Sequence, residues 1–301
     1  MVTALRESPP SNSAFMPKGA LSLRAVWPEV MVTALRESPP SDSPGFTMRI
    51  LTFNIHKGFS FANRRFTLLR MRELIRQSGA DVVFLQEVQG EHHHHARRVA
   101  DWPSQAQFEF LADSVWQHFA YGRNAIYDHG HHGNAILSKW PLLTWDNIDV
   151  STNRLERRGI LHGVIQPEGF RQPLHLLCTH LNLSEKGRVA QVGMLGERLQ
   201  AAVPHDAPLV LAGDFNDWTF AVGRRIERDL GLVEVHKAIH GRHARSFPAW
   251  LPLLHLDRIY VRGLTPTGAE RLSGPQWSGV SDHAPLVADV VETLPAKAIK
   301  V

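Results

Sequence analysis

Cysteine, long apolar runs and an excess of one charge are all scarce in this sequence. Cys178 is the only cysteine among 301 residues, so no disulfide can form within the chain. No apolar run approaches the roughly 18 residues of a membrane-spanning helix. The 33 Lys and Arg residues against 29 Asp and Glu leave a formal charge of +4, which attracts polyanions only weakly. Hydrophobic residues make up 43% of the chain, which excludes disorder throughout its length.

The first 47 residues differ from the rest of the sequence. MVTALRESPP at 1–10 returns unchanged at 31–40, and the segment is rich in Ser and Pro with four basic and four acidic residues. It lacks the unbroken apolar core and the cleavage site of a signal peptide. We therefore predict a disordered or poorly ordered N-terminal extension with an internal duplication at 1–47. One folded domain should follow at 48–301, in a cytoplasmic protein with peripheral membrane association as an alternative.

Short apolar segments alternate with a few amphipathic ones after residue 48. A helix is predicted over 64–77, where Leu68 and Ile75 lie on one face, and a second helix is predicted over 185–200. The predicted strands are 49–53, 81–85, 134–137, 160–165, 174–179, 209–212, 258–261 and 286–291. Many short strands with few helices between them favour two stacked sheets flanked by helices.

Polar side chains follow six of these apolar segments. The motifs are NIHKG at 54–58, QEV at 86–88, THLN at 179–182, GDFN at 213–216, LDRI at 256–259 and SDHAP at 281–285. They supply carboxylates, amides and histidines, but no serine or cysteine nucleophile. Carboxylate and amide oxygens suit Mg²⁺ or Mn²⁺ better than zinc, and amides and histidines suit a phosphate ester. Taken singly, each motif also fits a surface turn, an Asx turn or the start of a solvated loop.

In order and combination, these motifs and GNAILSK at 133–139 resemble the endonuclease/exonuclease/phosphatase superfamily, a metal-dependent phosphodiesterase and nuclease fold, in its short bacterial type. The resemblance covers residues 48–292. It implies an α/β fold, namely a four-layer sandwich of two packed, mainly antiparallel sheets flanked by helices.

The resemblance also implies a metal site and a site for the attacking water. Glu87 would bind the metal, Asn54 would help to hold metal and phosphate, and Asp282 would lie near the metal. Asp214 would orient or deprotonate the water. Asn216 would hold that water or a phosphate oxygen. The implied cofactor is Mg²⁺ or Mn²⁺.

Further residues would contact the phosphate. His283 would contact the scissile phosphate, with Asp257 accepting its other ring proton and fixing the tautomer. His180 would be a second phosphate contact or the proton donor to the leaving group. Arg157 or Arg158, with Arg158 preferred, lies where many relatives place a basic or aromatic phosphate contact, although two solvated arginines at a strand start fit equally well. Asn134 would line the cleft or satisfy backbone groups in a turn.

Three other segments carry expectations of their own. We expect 88–105, with its four histidines at 92–95, to be a mobile loop near the cleft rather than a zinc site. Cys178 should be a buried small hydrophobe. The stretch FPAWLPLLHL at 247–256 fits a loop and core strand leading to Asp257 better than it fits an exposed membrane contact.

The expected function is hydrolysis of phosphodiester or phosphomonoester bonds by in-line attack of an activated water, with divalent metal. The alternatives are a DNA endonuclease or exonuclease specifically, or a catalytically inactive module that binds a phosphate ligand. The expected partner is a phosphodiester substrate, either nucleic acid or a phospholipid or glycolipid headgroup, and no obligate protein partner is evident. QEV in place of the QET of DNA repair relatives, together with the low net charge, weakens the DNA reading.

Overall fold

The computed structural model describes residues 46–99, 101–127 and 130–293, so 1–45 of the predicted extension lie outside the described residues. The strands are β1 (Thr47–Asn54), β2 (Val82–His92), β3 (His118–Tyr127), β4 (Gly130–Ser138), β5 (Leu142–Asp149), β6 (Gly159–Ile165), β7 (Leu174–His180), β8 (Leu209–Asp214), β9 (Val233–Glu234), β10 (Asp257–Arg262), β11 (Leu264–Arg271) and β12 (Leu286–Glu292). The helices are α1 (Leu68–Gln77), α2 (His93–Arg98), α3 (Gln107–Ala112), α4 (Glu185–Ala202), α5 (Ala221–Asp229) and α6 (Val235–His240), with 3-10 turns at His56–Gly58 and Phe61–Asn63.

The strands form two six-stranded sheets with the same pattern of pairing. The order is β11-β12-β1-β2-β4-β3 in the first sheet and β5-β6-β7-β8-β10-β9 in the second. Each sheet has one parallel pair, β1 with β2 and β7 with β8, and its other pairs are antiparallel. The prediction of mainly antiparallel sheets is therefore confirmed.

Alternate residues of the central strands face different layers, as the two-residue period of a strand requires. In β7, Leu176 packs in the core between the sheets, whereas Leu177 packs outward with Leu195 and Leu199 of α4. In the first sheet, Leu51 packs outward with residues of α1 and α3. Helices thus cover the outer face of each sheet, and the predicted four-layer sandwich is confirmed.

Several boundaries differ from the predictions. Helix α1 begins at Leu68 rather than at residue 64, because Phe59 and Phe66 form a short antiparallel bridge before it. Strand β1 begins at Thr47, which pairs with Val291 of β12. Phe46 packs edge-on against a tryptophan ring, with 5.7 Å between ring centroids.

The expected mobile loop at 88–105 is wrong for most of its length. Strand β2 continues through a bulge to His92, pairing with β4, and α2 occupies His93–Arg98. Backbone pairing with β4 therefore orders the segment that its polar composition had marked as a loop. Among the described helices, none is long and apolar enough to cross a membrane.

Candidate active site

The predicted polar residues meet at one edge of the sandwich. Asn54 ends β1 and pairs in register with Gln86 of β2. His180 ends β7 beside Asp214 at the end of β8, and Asp214 pairs in register with Asp257 at the start of β10. Because the carboxyl ends of parallel neighbours lie at the same sheet edge, both sheets present these side chains to one place.

One carboxylate oxygen, Oδ2 of Asp214, lies at the centre of this group. Asn54 Nδ2 donates to it across the two sheets at 3.1 Å. The Nε2 atoms of His180 and His283 lie 3.5 Å and 3.8 Å from the same oxygen. Burial raises the pKa of Asp214 to about 6, although the charge on His283 opposes the rise. The carboxylate therefore titrates near neutrality.

Asp257 and His283 form a buried pair beside Asp214. Oδ2 of Asp257 lies 2.8 Å from Nδ1 of His283. Burial alone would lower the pKa of His283, but the charges of Asp257 and Asp214 and the hydrogen bond to Asp257 raise it to about 10. The imidazole is thus held in its charged form. Its ring also packs against Phe247, with 4.9 Å between centroids.

His180 has the opposite charge state in the same site. Burial lowers its pKa well below the ordinary value, and the positive charges of Arg158 and His283 lower it further. The site therefore contains one charged and one neutral imidazole, and both are close to the Asp214 carboxylate.

Glu87 sits in strained backbone at the bulge of β2. Its φ is +56°, a left-handed conformation that a glutamate rarely adopts, and such strain is concentrated at functional sites. Its Oε2 atom is buried without a hydrogen-bond partner, and Nζ of Lys57 lies 3.6 Å away. Burial raises the pKa of Glu87, but the charges of Lys57, His56 and His283 outweigh it, and the net shift is downward. An ionised, unsatisfied oxygen of this kind fits a divalent cation.

Asp282 and Asn54 present further oxygens to the same region. Asp282 Oδ1 accepts from Ser281 Oγ at 3.3 Å and lies 3.7 Å from His56 Nδ1. Asn54 Oδ1 accepts from the backbone N–H of His56 at 3.0 Å, which fixes its side chain. These oxygens, with Glu87, are a donor set that suits Mg²⁺ or Mn²⁺.

A second group of potential ligands consists of Asp214, Asp257 and His283, whose ligand atoms lie within 4.8 Å of one another. The charged imidazole of His283 carries a proton on each nitrogen and cannot coordinate a cation. Its positive charge also offsets one of the two negative charges of these carboxylates. We therefore favour the oxygen set around Glu87 as the metal-binding part of the site.

Asn216 lies close to this cluster in a second left-handed position, with a φ of +49°. Its backbone N–H donates to Asp214 Oδ1 at 2.9 Å, and its Nδ2 donates to the carbonyl of Leu181 at 3.0 Å. The first bond holds the Asp214 carboxylate, and the second fixes the Asn216 side chain.

Residues 51–283 match the family model described as Endonuclease/Exonuclease/phosphatase family. The chain belongs to this family. Its members are generally hydrolases of phosphoester bonds and typically use divalent metals. They include phosphodiesterases, nucleases and phosphatases.

One curated protein and several solved structures are similar to this chain. The "Uncharacterized protein YbhP" of Escherichia coli (strain K12) is 45% identical over 245 residues, which are 81% of this chain and 96% of that protein. The fold is similar to the crystal structure of an endonuclease/exonuclease/phosphatase from Beutenbergia cavernae, with a TM-score of 0.67, 19% identity, and coverage of 82% of this chain and 72% of that one. It is also similar to the human Nocturnin catalytic domain with bound sulfate anion, with a TM-score of 0.64, 20% identity, and coverage of 82% and 94%.

The two weaker predictions for this family member have different surroundings. Asn134 is buried, and its Nδ2 donates to the carbonyls of Gly159 and Cys178, so its amide nitrogen satisfies backbone groups. Arg158 is half-buried. Its Nε donates to the Leu181 carbonyl at 3.2 Å and its Nη2 to Glu156, while its Nη1 has no hydrogen-bond partner among the described residues.

Sequence reasoning did not single out three basic residues that neighbour the site. Lys57 lies within NIHKG, in a left-handed conformation that turns it toward Glu87, and His56 lies beside Asp282. His132 of β4 is held neutral, because burial and then Lys57 lower its pKa to about 4. The motif contained Lys57 and His56, but their backbone conformation was not visible in the sequence.

Cys178 is the buried hydrophobe that we expected. Its thiol lies between the two sheets, where Gln86 Nε2 donates to the sulfur at 3.4 Å. Burial raises its pKa to about 12, so it is not a nucleophile at neutral pH.

Proposed function

We propose that this family member is a divalent-metal-dependent hydrolase that cleaves phosphodiester or phosphomonoester bonds by in-line attack of an activated water. The observation that carries the proposal is the convergence on Asp214 Oδ2 of Asn54, His180 and His283. Asp257 lies behind His283, at 2.8 Å. This arrangement supplies a base, two phosphate contacts and a fixed imidazole in one buried cluster.

In this proposal, Asn54, Glu87 and Asp282 would hold Mg²⁺ or Mn²⁺. Bound there, the cation would neutralise charge on the phosphate oxygens and polarise the phosphorus for attack. The unpartnered Oε2 of Glu87 supports this assignment, because a buried carboxylate oxygen without a donor is costly unless a cation satisfies it.

Asp214 would accept the proton of the attacking water. A carboxylate whose pKa is about 6 is ionised at neutral pH and is basic enough to take part of that proton in the transition state. Asn216, whose backbone N–H binds the other carboxylate oxygen, would keep Asp214 aimed at the water and would contact the water or a phosphate oxygen.

The two histidines would contact different oxygens of the phosphate. Charged His283 would donate to a phosphate oxygen that gains negative charge, and Asp257 would hold it in place. Neutral His180 would donate its N–H to a second oxygen. Because its pKa is far below neutral, we favour a phosphate contact over protonation of the leaving group.

A metal-dependence assay tests this proposal. Hydrolysis of bis-p-nitrophenyl phosphate should require Mg²⁺ or Mn²⁺ and stop in EDTA. A panel of plasmid DNA, single-stranded DNA, RNA and lysophospholipids would then identify the substrate class. Hydrolysis that proceeds fully in EDTA would contradict the metal assignment. Phosphate binding without hydrolysis under any of these conditions would indicate the inactive binding module instead.

One observation favours a lipid substrate and a peripheral position at a membrane. Residues 247 and 254 form a short bridge, and between them Trp250 is 65% exposed and Leu253 55% exposed. The same segment touches the site, because the backbone N–H of Ala249 donates to the carbonyl of Asp282 at 2.7 Å. An exposed tryptophan with neighbouring leucines suits a lipid–water boundary.

Sedimentation with phosphatidylglycerol vesicles tests the lipid candidate. The double variant Trp250→Ser, Leu253→Ser should lose vesicle binding, whereas Trp145→Ser, which alters an exposed tryptophan on β5, should retain it. Equal sedimentation of all three proteins, or cleavage of DNA with no effect on lipids, would contradict the lipid candidate.

A further inference from the structure

A polar pocket of about 400 Å³ lies beside the candidate active site. Its wall includes Arg123, Arg157 and Arg158 together with Asn124, Asn147 and Asp149. A single backbone carbonyl joins this wall to the catalytic cluster. The carbonyl of Leu181 accepts both from Arg158 Nε, in the pocket, and from Asn216 Nδ2, in the cluster. The pocket therefore lies next to the catalytic cluster.

The pocket is built where the edge strands of the two sheets, β3 and β5, come together. Strand β3 has a bulge at Asn124, because Arg123 pairs with Gly133 while Ala125 pairs with His132. A bulge re-aims the side chain of the extra residue and is common next to binding sites. Asn147 of β5 then donates through Nδ2 to Asn124 Oδ1 at 3.1 Å, which locks the two amides together.

Two glycines make room for this amide pair. A Cβ atom at Gly122 would lie 2.2 Å from Asn147 Oδ1, and one at Gly159 would lie 2.1 Å from Asn124 Oδ1. Any side chain at either glycine would displace an asparagine. The wall of the pocket is thus a specific construction of two strands, and not a gap between loops.

The charge of the pocket is positive and partly uncompensated. Arg123 is exposed, and its guanidinium forms neither an ion pair nor a hydrogen bond with any residue in the described ranges. Nη1 of Arg158 is likewise open there. The carboxylate within the lining is Asp149, whose side chain is 71% exposed and lies 3.8 Å from Arg157. Glu156 Oε1 pairs with Nη2 of Arg158 at 2.9 Å.

We infer that this pocket is a subsite for a second phosphate group of the substrate. The inference rests on the proposed function, since it assigns one phosphate to the catalytic cluster and another to the arginines of the pocket. Arg123 and the open Nη1 of Arg158 supply charged donors, and guanidinium groups match phosphate geometry well. The substrate would be a phosphate ester that carries a further phosphate on the same small scaffold.

Matched pairs of chromogenic substrates test the inference. The first pair is thymidine 5′-(p-nitrophenyl phosphate) with and without a 3′-phosphate. The second pair is glycerol 1-(p-nitrophenyl phosphate) with and without a 3-phosphate. The native chain should have a kcat/KM about tenfold higher for the phosphate-bearing member of at least one pair, which is the usual value of one charged hydrogen bond. The pair that shows the preference indicates whether the second phosphate belongs to a nucleotide or to a glycerophosphate.

Arg123→Gln should abolish this preference, so that the ratio within the preferred pair falls about tenfold. The variant should fold, because the guanidinium is exposed and forms neither an ion pair nor a hydrogen bond with the described residues. Arg225→Gln, an exposed arginine of α5 outside the pocket, is the matched control and should keep the native ratio. No preference in either pair, or the same preference in Arg123→Gln, would overturn the inference.

A binding measurement separates this inference from the proposed function. If no member of either pair is hydrolysed, the proposed function fails. Calorimetric titration with thymidine 3′,5′-bisphosphate and thymidine 5′-monophosphate in EDTA then decides on the subsite. Tighter binding of the bisphosphate that is lost in Arg123→Gln would support the subsite. Equal binding of both nucleotides, or binding that Arg123→Gln does not change, would overturn it.

Discussion

Two pairs of buried groups in this protein contain histidines with opposite charge states. His283 at the candidate active site is 7% exposed, while His162 and His175 of β6 and β7 are 3% and 7% exposed. His283 lies against two carboxylates, and its pKa is raised to about 10. His162 and His175 contact each other, with 2.9 Å between their ring nitrogens, and Arg198 of α4 donates to His162. Burial and then neighbouring arginines lower their pKa values to about 3 and 4.

The comparison teaches that the charged partners explain why these buried imidazoles differ in charge. All three rings are almost equally removed from water, and burial disfavours the proton in each case. Asp257 and Asp214 overcome that cost at His283, whereas Arg198 adds to it at His162. The Asp257–His283 pair therefore keeps a charged imidazole, whereas the His162–His175 pair is a neutral network next to α4.

The largest effect should come from Asp257→Asn, which removes the carboxylate that makes His283 differ from His162. We expect kcat to fall by about two to four decades with little change in KM, by analogy with other oriented histidines. His283→Ala should cost at least as much, and the double variant little more, because the pair acts as one unit. Steady-state kinetics of the three folded variants measure this. If the fold-loss in kcat of the double variant equals the product of the two single losses, the two residues act independently.

A somewhat smaller loss is expected from Glu87→Gln, which changes the proposed metal-binding side of the site but leaves the Asp257–His283 pair intact. A neutral amide binds a divalent cation far less well than a carboxylate, so activity should fall by about two to three decades. The Mg²⁺ concentration required for half-maximal activity should rise. Gln77→Glu on the exposed face of α1 is a charge control. An unchanged Mg²⁺ requirement in Glu87→Gln would contradict the assignment.

The neutral pair should control stability in acid. In the folded chain, the pKa values of His162 and His175 lie below the ordinary 6.5. Below pH 6.5 the unfolded chain therefore binds more protons at these residues than the folded chain does. Their contribution is fully present above about pH 6.5 and is lost as the pH falls towards 4, by about 3 kcal/mol for each imidazole.

Urea unfolding between pH 7 and pH 4 measures this effect. His162→Gln should flatten the pH dependence even if it lowers stability at pH 7, while His205→Gln, which changes an exposed histidine, should leave the slope as it is. A native slope in His162→Gln would mean that the pair is not the source of the acid sensitivity.

The smallest effect should come from removing residues 1–44, which include none of the predicted site residues. The sequence predicts that residues 1–47 are dispensable. Phe46 and Thr47 contact the folded part, so we now exclude them from the truncation. A chain that starts at Gly45 should keep its kcat/KM and its unfolding midpoint. A lower activity per folded molecule would show that the duplicated segment has a role.

Much of the site could be predicted because its residues follow apolar runs. Asn54, Glu87, Asp214 and His283 each stand directly after or before a buried strand, and this local signal needs no knowledge of pairing. The contacts between them could not be predicted from such a signal. The approach of Asn54 to Asp214 joins residues 160 positions apart and depends on how the two sheets stack.

The strands that were not predicted from the sequence lie at the edges of the two sheets. Strand β5, with Thr144, Asp146 and Asn147, is largely exposed and has no apolar pattern, so its identity comes from backbone pairing with β6. The pocket at Arg123 depends on a bulge in β3 and on its meeting with β5. Neither a bulge nor a meeting of two edge strands has a local signature in the sequence, which explains why this region was not predicted.

The pairing of β1 with β12 sets the order in which this site can be assembled during synthesis. Asn54 and Glu87 leave the ribosome early, whereas Asp282 and His283 are among the last described residues to be made, just before the strand that hydrogen-bonds to β1. Until β12 docks, the edge of β1 is unpaired and the cluster lacks its charged imidazole. A growing chain should therefore be inert toward the cell's phosphate esters until almost all of the domain has been made.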